Sequence, residues 1–172
     1  MTFPVVQGQR VALREYRVED KDTIQPWLGE VVSAAGIADP VPRPANEQAP
    51  QTIREGLPLG GSRSGTLVIQ LVSEGEPLGF LEYEFARGWL AVPFIALAKP
   101  YRGWGYGSEA VRLLEGWAQS ERVPKRFRAD VPVGNGLALY FWLRLGYRPK
   151  SASAGDGHAV MMMVREIETG KG

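Results

Sequence analysis

The run Arg102-Gly-Trp-Gly-Tyr-Gly107 is the stretch of this 172-residue chain whose residue types and spacing point most directly to chemistry. Glycine at every second position frees the backbone from Cβ constraints, so several consecutive N–H groups can converge on one anion. A helix that starts at the end of the run adds the positive end of its dipole. Together these make a cradle for a diphosphate, built from Arg102, Gly103, Trp104, Gly105, Tyr106, Gly107 and Ser108. Two familiar cradles do not fit. A Walker A loop ends in Gly-Lys-Ser/Thr, whereas Gly107 is followed by Ser108-Glu109, with no lysine to reach a terminal phosphate. A dinucleotide fingerprint needs its third glycine where Ser108 stands and follows the first strand of a parallel unit. The plainer alternative is a tight turn before a helix, with Trp104 and Tyr106 as packing residues.

The rest of the composition limits what such a cradle can serve. The chain has no cysteine and one histidine, His158, and it carries 20 Lys+Arg against 19 Asp+Glu for a formal charge of +1. Thiolate nucleophiles, redox dithiols, disulfide frameworks and Cys- or His-pair zinc sites are therefore excluded, and no metal is expected. The balanced charge lacks the basic footprint of a nucleic-acid binder. No segment approaches the 18 or more apolar residues of a membrane span, and Met1 to Arg10 has the character of neither a leader nor a transit peptide. The expectation is one cytoplasmic domain covering residues 1–172, in contact with neither nucleic acid nor membrane.

The elements that must position the cradle follow from periodicity. Residues 10–16 alternate as a strand, and acidic residues in the first turn suit a helix from Val18 to Leu28, ended by Gly29. The span 29–64 is proline- and glycine-rich and reads as loop with a short helix at about 47–55; a binding element and a surface insertion are equally consistent with it. Three strands at 66–72, 78–85 and 89–97, joined by turn residues, form an antiparallel meander. In the second, Leu81, Tyr83 and Phe85 face one way and Glu82 and Glu84 the other, toward solvent. The third is apolar on both faces, and Pro93 within it predicts a bulge or a broken ladder. Ala110, Leu113, Leu114 and Trp117 mark an amphipathic helix packed on the sheet. A strand at 126–131, a helix at 135–145 stopped by Gly146, and strands at 147–151 and 158–167 complete the chain, with 151–157 as a small-residue loop. The fold class is α/β (α+β): a mixed, mostly antiparallel sheet of about seven strands flanked by helices, in the order β-α-(α)-β-β-β-α-β-α-β-β.

With these elements in place, the chain resembles the GNAT acetyltransferase superfamily. Arg102, Gly105 and Gly107 match its Arg/Gln-x-x-Gly-x-Gly/Ala signature, and Asn135, Ala138, Trp142, Gly146 and Tyr147 match a second signature downstream. The opening Val-Ala-Leu-Arg-Glu-Tyr strand and Pro100 to Ala110 look most like the branch containing ribosomal-protein alanine N-acetyltransferases. The resemblance implies acetyl-coenzyme A as co-substrate, held at its diphosphate by the cradle amides. It further implies that backbone groups of Leu97, Ala98 and Lys99 take the pantetheine arm, an N–H at about Leu97 polarises the thioester carbonyl, and Asn135 contacts the arm. A helix N-cap is the plain alternative for Asn135.

Acetyl transfer from a thioester to an amine needs a free amine, a stabilised oxyanion and a proton for the departing thiolate, and the enzyme supplies no nucleophile. The resemblance implies a carboxylate base five residues before the motif asparagine and a tyrosine acid seven after it. Asp130 matches the first position, but the second is Trp142, which is no acid, and Tyr140 would point elsewhere on the helix. A surface ion pair is the alternative for Asp130; Glu82 and Glu84 are rival bases. His158 is expected to be a structural imidazole, and Met161 to Met163 to alternate between core and surface, with a homodimer seam as a minority option. The expected function is N-acetyl transfer to a primary amine on a small molecule or a peptide N-terminus. A non-catalytic coenzyme A-binding module and a transferase for a longer acyl donor stand as alternatives.

Overall fold

Eight strands form a single sheet in the order β1-β2-β3-β4-β5-β6-β8-β7 in a computed structural model that describes residues 5–26, 63–86, 88–121, 124–155 and 158–167. The strands are β1 (Val6–Gln7), β2 (Val11–Glu15), β3 (Arg63–Leu71), β4 (Pro77–Ala86), β5 (Trp89–Leu97), β6 (Arg126–Pro132), β7 (Arg148–Gly155) and β8 (His158–Glu166). The longer helices are α1 (Tyr106–Glu121) and α2 (Gly136–Arg144). All neighbouring strands run antiparallel except β5 and β6, which are parallel because α1 carries the chain back over the sheet between them.

The mixed, mostly antiparallel class is as expected, with the two-residue β1 as an added edge strand. Two boundaries move. β3 begins at Arg63 rather than Thr66, and the anticipated small-residue loop after Ser151 is largely strand, since β7 pairs with β8 as far as Gly155↔His158. Small residues carry little strand propensity of their own; the neighbouring ladder recruits them. The anticipated 18–28 helix is seen in part, as a 3-10 turn at Val18–Asp20 leading into helix at 21–26. Its end, and the short helix anticipated at about 47–55, lie outside the described residues.

One face of the sheet holds the main core. Leu67, Ile69, Leu81, Tyr83, Leu90, Phe127 and Met163 pack there against Ala110, Leu114 and Trp117 of α1 and Trp142 of α2. This is the face that alternation assigned to Leu81, Tyr83 and Phe85. The opposite face carries a smaller cluster in which Ile24 of the 21–26 helix covers Val68, Phe80 and Ala96. Glu82 lies on that second face and is 8% exposed, so the solvated position expected for it is corrected: the carboxylate is buried on the sheet. Met161 and Met163 face the main core and Met162 points the other way, as alternation requires. His158 opens β8 opposite Gly155.

Candidate functional site

The site begins where two strands part. β5 and β6 pair from Trp89↔Arg126 to Val92↔Ala129 and no further, although β5 continues to Leu97 and β6 to Pro132. On the other edge of β5, the register with β4 jumps from Glu84↔Ala91 to Glu82↔Phe94, so Val92 and Pro93 together oppose the single residue Tyr83. Pro93, which has no N–H to donate, therefore marks both a bulge and the end of a ladder. Both outcomes that its position allowed occur at once.

Beyond Pro93 the backbone polarity of β5 decides what faces the gap. The N–H of Ala98 donates to the Leu78 carbonyl of β4 at 2.9 Å. Because successive residues of a strand direct their polar groups to opposite sides, Leu97 and Ile95 turn theirs away from β4, toward the space β6 has left. The Leu97 carbonyl accepts from Nε of Arg102 at 2.8 Å, which agrees with this direction. That bond also ties the end of β5 to the glycine loop.

Ala98 is buried and caps a 3-10 turn, Lys99–Tyr101, whose Lys99 is exposed. Gly103 and Gly105 follow with φ of +81° and +84°, the left-handed region that favours glycine. The first intrahelical bond of α1 runs from the Glu109 N–H to the Gly105 carbonyl at 3.1 Å. The amides of Tyr106, Gly107 and Ser108 therefore precede the helical ladder, at the positive end of the dipole. A Cβ on Gly107 would sit 3.2 Å from Cε2 of Phe141 and 3.4 Å from Cδ1 of Leu97, so this glycine lets α1, α2 and β5 meet closely. Trp104 is 68% exposed, whereas Tyr106 packs edge-on to Tyr101. Positive potential, orphan amides and a floor without side chains suit an anionic diphosphate.

A brace that local sequence gave no sign of holds this loop from 99 residues upstream. The Glu109 carboxylate, in the first turn of α1, accepts from the backbone N–H of Arg10 at 3.0 Å, that of Val11 at 2.8 Å, and Arg10 Nε at 3.2 Å. Arg10 also reaches the Trp104 carbonyl through Nη1 at 2.8 Å and lies 4.7 Å over the Tyr106 ring. Burial alone would raise the Glu109 carboxyl, but the two backbone donors and the guanidinium outweigh it and hold it below the ordinary value.

The carboxylates expected near the chemistry lie on the second face of the sheet. Asp130 follows Ala129, the last β6 residue paired to β5, and so stands at the mouth of the gap. Both its oxygens are engaged by the fork of Arg128, at 3.0 and 3.1 Å, with the two side chains 36% and 39% exposed. Glu82 occupies the same face two strands away, at the register of Phe94. Glu84, half-buried, aligns with Ala91 and Arg128 across the sheet. Asn135 caps α2, its Oδ1 accepting from the Ala138 N–H at 3.1 Å. Trp142 is 4% exposed and packs against Tyr147 and Phe141 in the core; Tyr140 faces solvent beneath Arg144. Among the described residues no group of three or more His, Asp or Glu is placed to hold a metal, and no helix is long and apolar enough to cross a membrane.

Comparison with known proteins matches residues 34–147 to the model of the acetyltransferase (GNAT) family. Among solved structures, a GNAT-family acetyltransferase from Bacillus anthracis aligns with a TM-score of 0.73 at 12% identity, covering 95% of this chain and 98% of the other. A ribosomal-protein-S5-alanine acetyltransferase from Vibrio fischeri aligns at 0.72 and 14% identity, over 99% and 100% of the two chains. A ribosomal L7/L12 alpha-N-protein acetyltransferase, solved in complex with coenzyme A, aligns at 0.70 and 14% identity over 96% and 99%. A comparison with curated protein sequences finds no match.

Proposed function

Since the chain belongs to the acetyltransferase (GNAT) family and is an acyltransferase, we propose that it moves an acetyl group from acetyl-coenzyme A to a primary amine by direct attack in a ternary complex. The reading rests on one juxtaposition. The left-handed glycine loop at the start of α1 lies beside the unpaired end of β5, and Arg102 bonds the two together. The amides of residues 103–108 take the diphosphate, and the pantetheine arm lies along Leu97, Ala98 and Lys99 in the gap between β5 and β6. It reaches toward Asn135 at the start of α2. The Leu97 N–H, directed into that gap, meets the thioester oxygen as negative charge develops there; such a preoriented donor stabilises the transition state more than the ground state.

The amine approaches from the second face of the sheet, where the acidic side chains are. A proton released there has two destinations: Asp130, where it must displace one arm of Arg128, and the buried Glu82. An α-amine, with an ordinary pKa of about 8 against about 10 for lysine, is already partly neutral near pH 7 and asks less of either. Buried among aromatic rings, Trp142 protonates nothing, so the thiolate departs unassisted or through water. In this reading the protein acts in the cytoplasm, on a small-molecule amine or a peptide N-terminus.

Calorimetry with acetyl-coenzyme A and a turnover assay across a panel of amines test the proposal. Saturable binding with acetylation of at least one amine class is expected; absence of binding at high micromolar concentration overturns it. The core position of Trp142, at the place of the acid, favours a second reading, a coenzyme A-binding module without transfer. Binding without turnover on any amine, with acetyl or longer acyl donors, would select it.

A further inference from the structure

Arg10 stands just before β2, remote in sequence from the glycine loop, yet its guanidinium spans it. Nε meets Oε1 of Glu109 at 3.2 Å, Nη1 meets the Trp104 carbonyl at 2.8 Å, and Cζ lies 4.7 Å from the centroid of the Tyr106 ring. Nη2 comes within 3.2 Å of where a Cβ on Gly105 would stand. The Trp104 carbonyl and the Gly105 N–H belong to one planar trans peptide and point in opposite directions. Drawing the carbonyl toward Arg10 therefore turns the Gly105 N–H to the other side, and Gly105 at φ +84° sets the direction of the amides that follow.

A second effect is electrostatic. Glu109 places a carboxylate in the first turn of the helix whose N-terminus faces the diphosphate, an adverse charge for that ligand. Arg10 covers it from one side and the amides of Arg10 and Val11 from the other.

We propose that Arg10 is a positioning residue for the diphosphate of acetyl-coenzyme A, acting by fixing the Trp104–Gly105 peptide and masking the charge of Glu109. This rests on the reading that residues 103–108 hold that diphosphate. The ion pair itself adds little to stability, because the Arg10 side chain is 46% exposed. The backbone N–H groups of residues 10 and 11 stay on Glu109 whatever the side chain, so Arg10→Gln leaves the junction of β2 and α1 in place.

The experiment compares wild type with Arg10→Gln and Arg10→Lys, using acetyl-coenzyme A and acetyl-pantetheine, a thioester donor that lacks the diphosphate. In Arg10→Gln, the Kd for coenzyme A and the KM for acetyl-coenzyme A should rise about tenfold, the lower end of what a charge-assisted hydrogen bond is worth because the lost bond orients the loop rather than touching the ligand, while kcat at saturation stays within about twofold. Turnover of acetyl-pantetheine should match wild type. Lysine keeps the charge but cannot reach both Glu109 and the Trp104 carbonyl with a planar fork, so it should recover little. Unchanged KM for acetyl-coenzyme A, equal losses with both donors, or full recovery in Arg10→Lys would each overturn the proposal. A wild-type protein that fails to bind coenzyme A would sink the diphosphate reading itself, and this inference with it.

Discussion

Replacing Gly105 with alanine sets the backbone's need for a left-handed residue against the loop's need to keep its amides aligned. At φ +84° an L-residue costs about 1–2 kcal/mol. The new Cβ would lie 3.2 Å from Arg10 Nη2, a contact relieved by a shift of a few tenths of an ångström that leaves Nη1 on the Trp104 carbonyl, so sterics add little. The chain can meet this penalty in two ways. If the loop keeps its shape, stability falls by about 1–2 kcal/mol and the melting temperature of a chain this size by about 2–8 °C, with affinity unchanged. If φ turns negative, stability is spared, but the Trp104–Gly105 peptide rotates. Binding must then restore it, which weakens coenzyme A by about 5- to 30-fold. The two losses trade against each other, so their sum stays near about 1–2 kcal/mol. Thermal denaturation without ligand and calorimetric titration with coenzyme A measure both on one preparation. Gly116→Ala is the control: nothing lies within 4 Å of its added Cβ, and it should gain up to about 1 kcal/mol with no change in affinity. A Gly105→Ala protein that matches wild type in both melting temperature and affinity would refute the role given to the left-handed turn.

Asp130→Asn should lower kcat/KM by less than about tenfold and Glu82→Gln by about 100-fold or more if the buried carboxylate takes the proton; the reverse order would transfer that role to Asp130. Asp20, which is 9% exposed and bonded twice to Arg14 at 2.8 Å, opens the second-face packing. Burial would raise its carboxyl, but Arg14 and the Arg17 N–H outweigh it and hold it below 3.8, and Glu109 is held below 4.5 in the same way. Groups with depressed folded values contribute stability that is fully present above the unfolded values and lost as pH falls through the folded ones. Asp20→Asn should therefore cost about 1.5–3 kcal/mol at neutral pH by removing the carboxylate that Arg14 pairs with, while Gln70 and the Glu15 carbonyl still accept from Arg14, and should flatten the decline of melting temperature below about pH 4. An acid limb identical to wild type would contradict this.

Much of the architecture was legible because it depends on short-range patterns. The alternation of Leu81, Tyr83 and Phe85 against Glu82 and Glu84 assigns β4 its two faces, and the 3.6-residue spacing of Ala110, Leu114 and Trp117 assigns α1 its buried stripe. Pro93 announces an interruption because a missing N–H is a local fact. The small residues of β7 were not legible as strand, since only the β8 ladder holds them extended. Nor was the burial of Glu82, which depends on what covers the second face rather than on its own strand.

For the site, residue types and their order fix the chemistry that is excluded and where the proposed cradle lies. Absent cysteine and alternating glycines are properties of residue type, and Gly103 and Gly105 do adopt the left-handed backbone that only their lack of a side chain makes easy. Tertiary structure alone decided how the cradle is aimed. The gap opens because β6 leaves β5 after Val92↔Ala129, Leu97 faces it because Ala98 is already bonded to β4, and the loop is braced by Arg10. Each of these is a contact between segments far apart in the chain, set by which strands lie side by side, and no pattern within a single segment encodes such a neighbour.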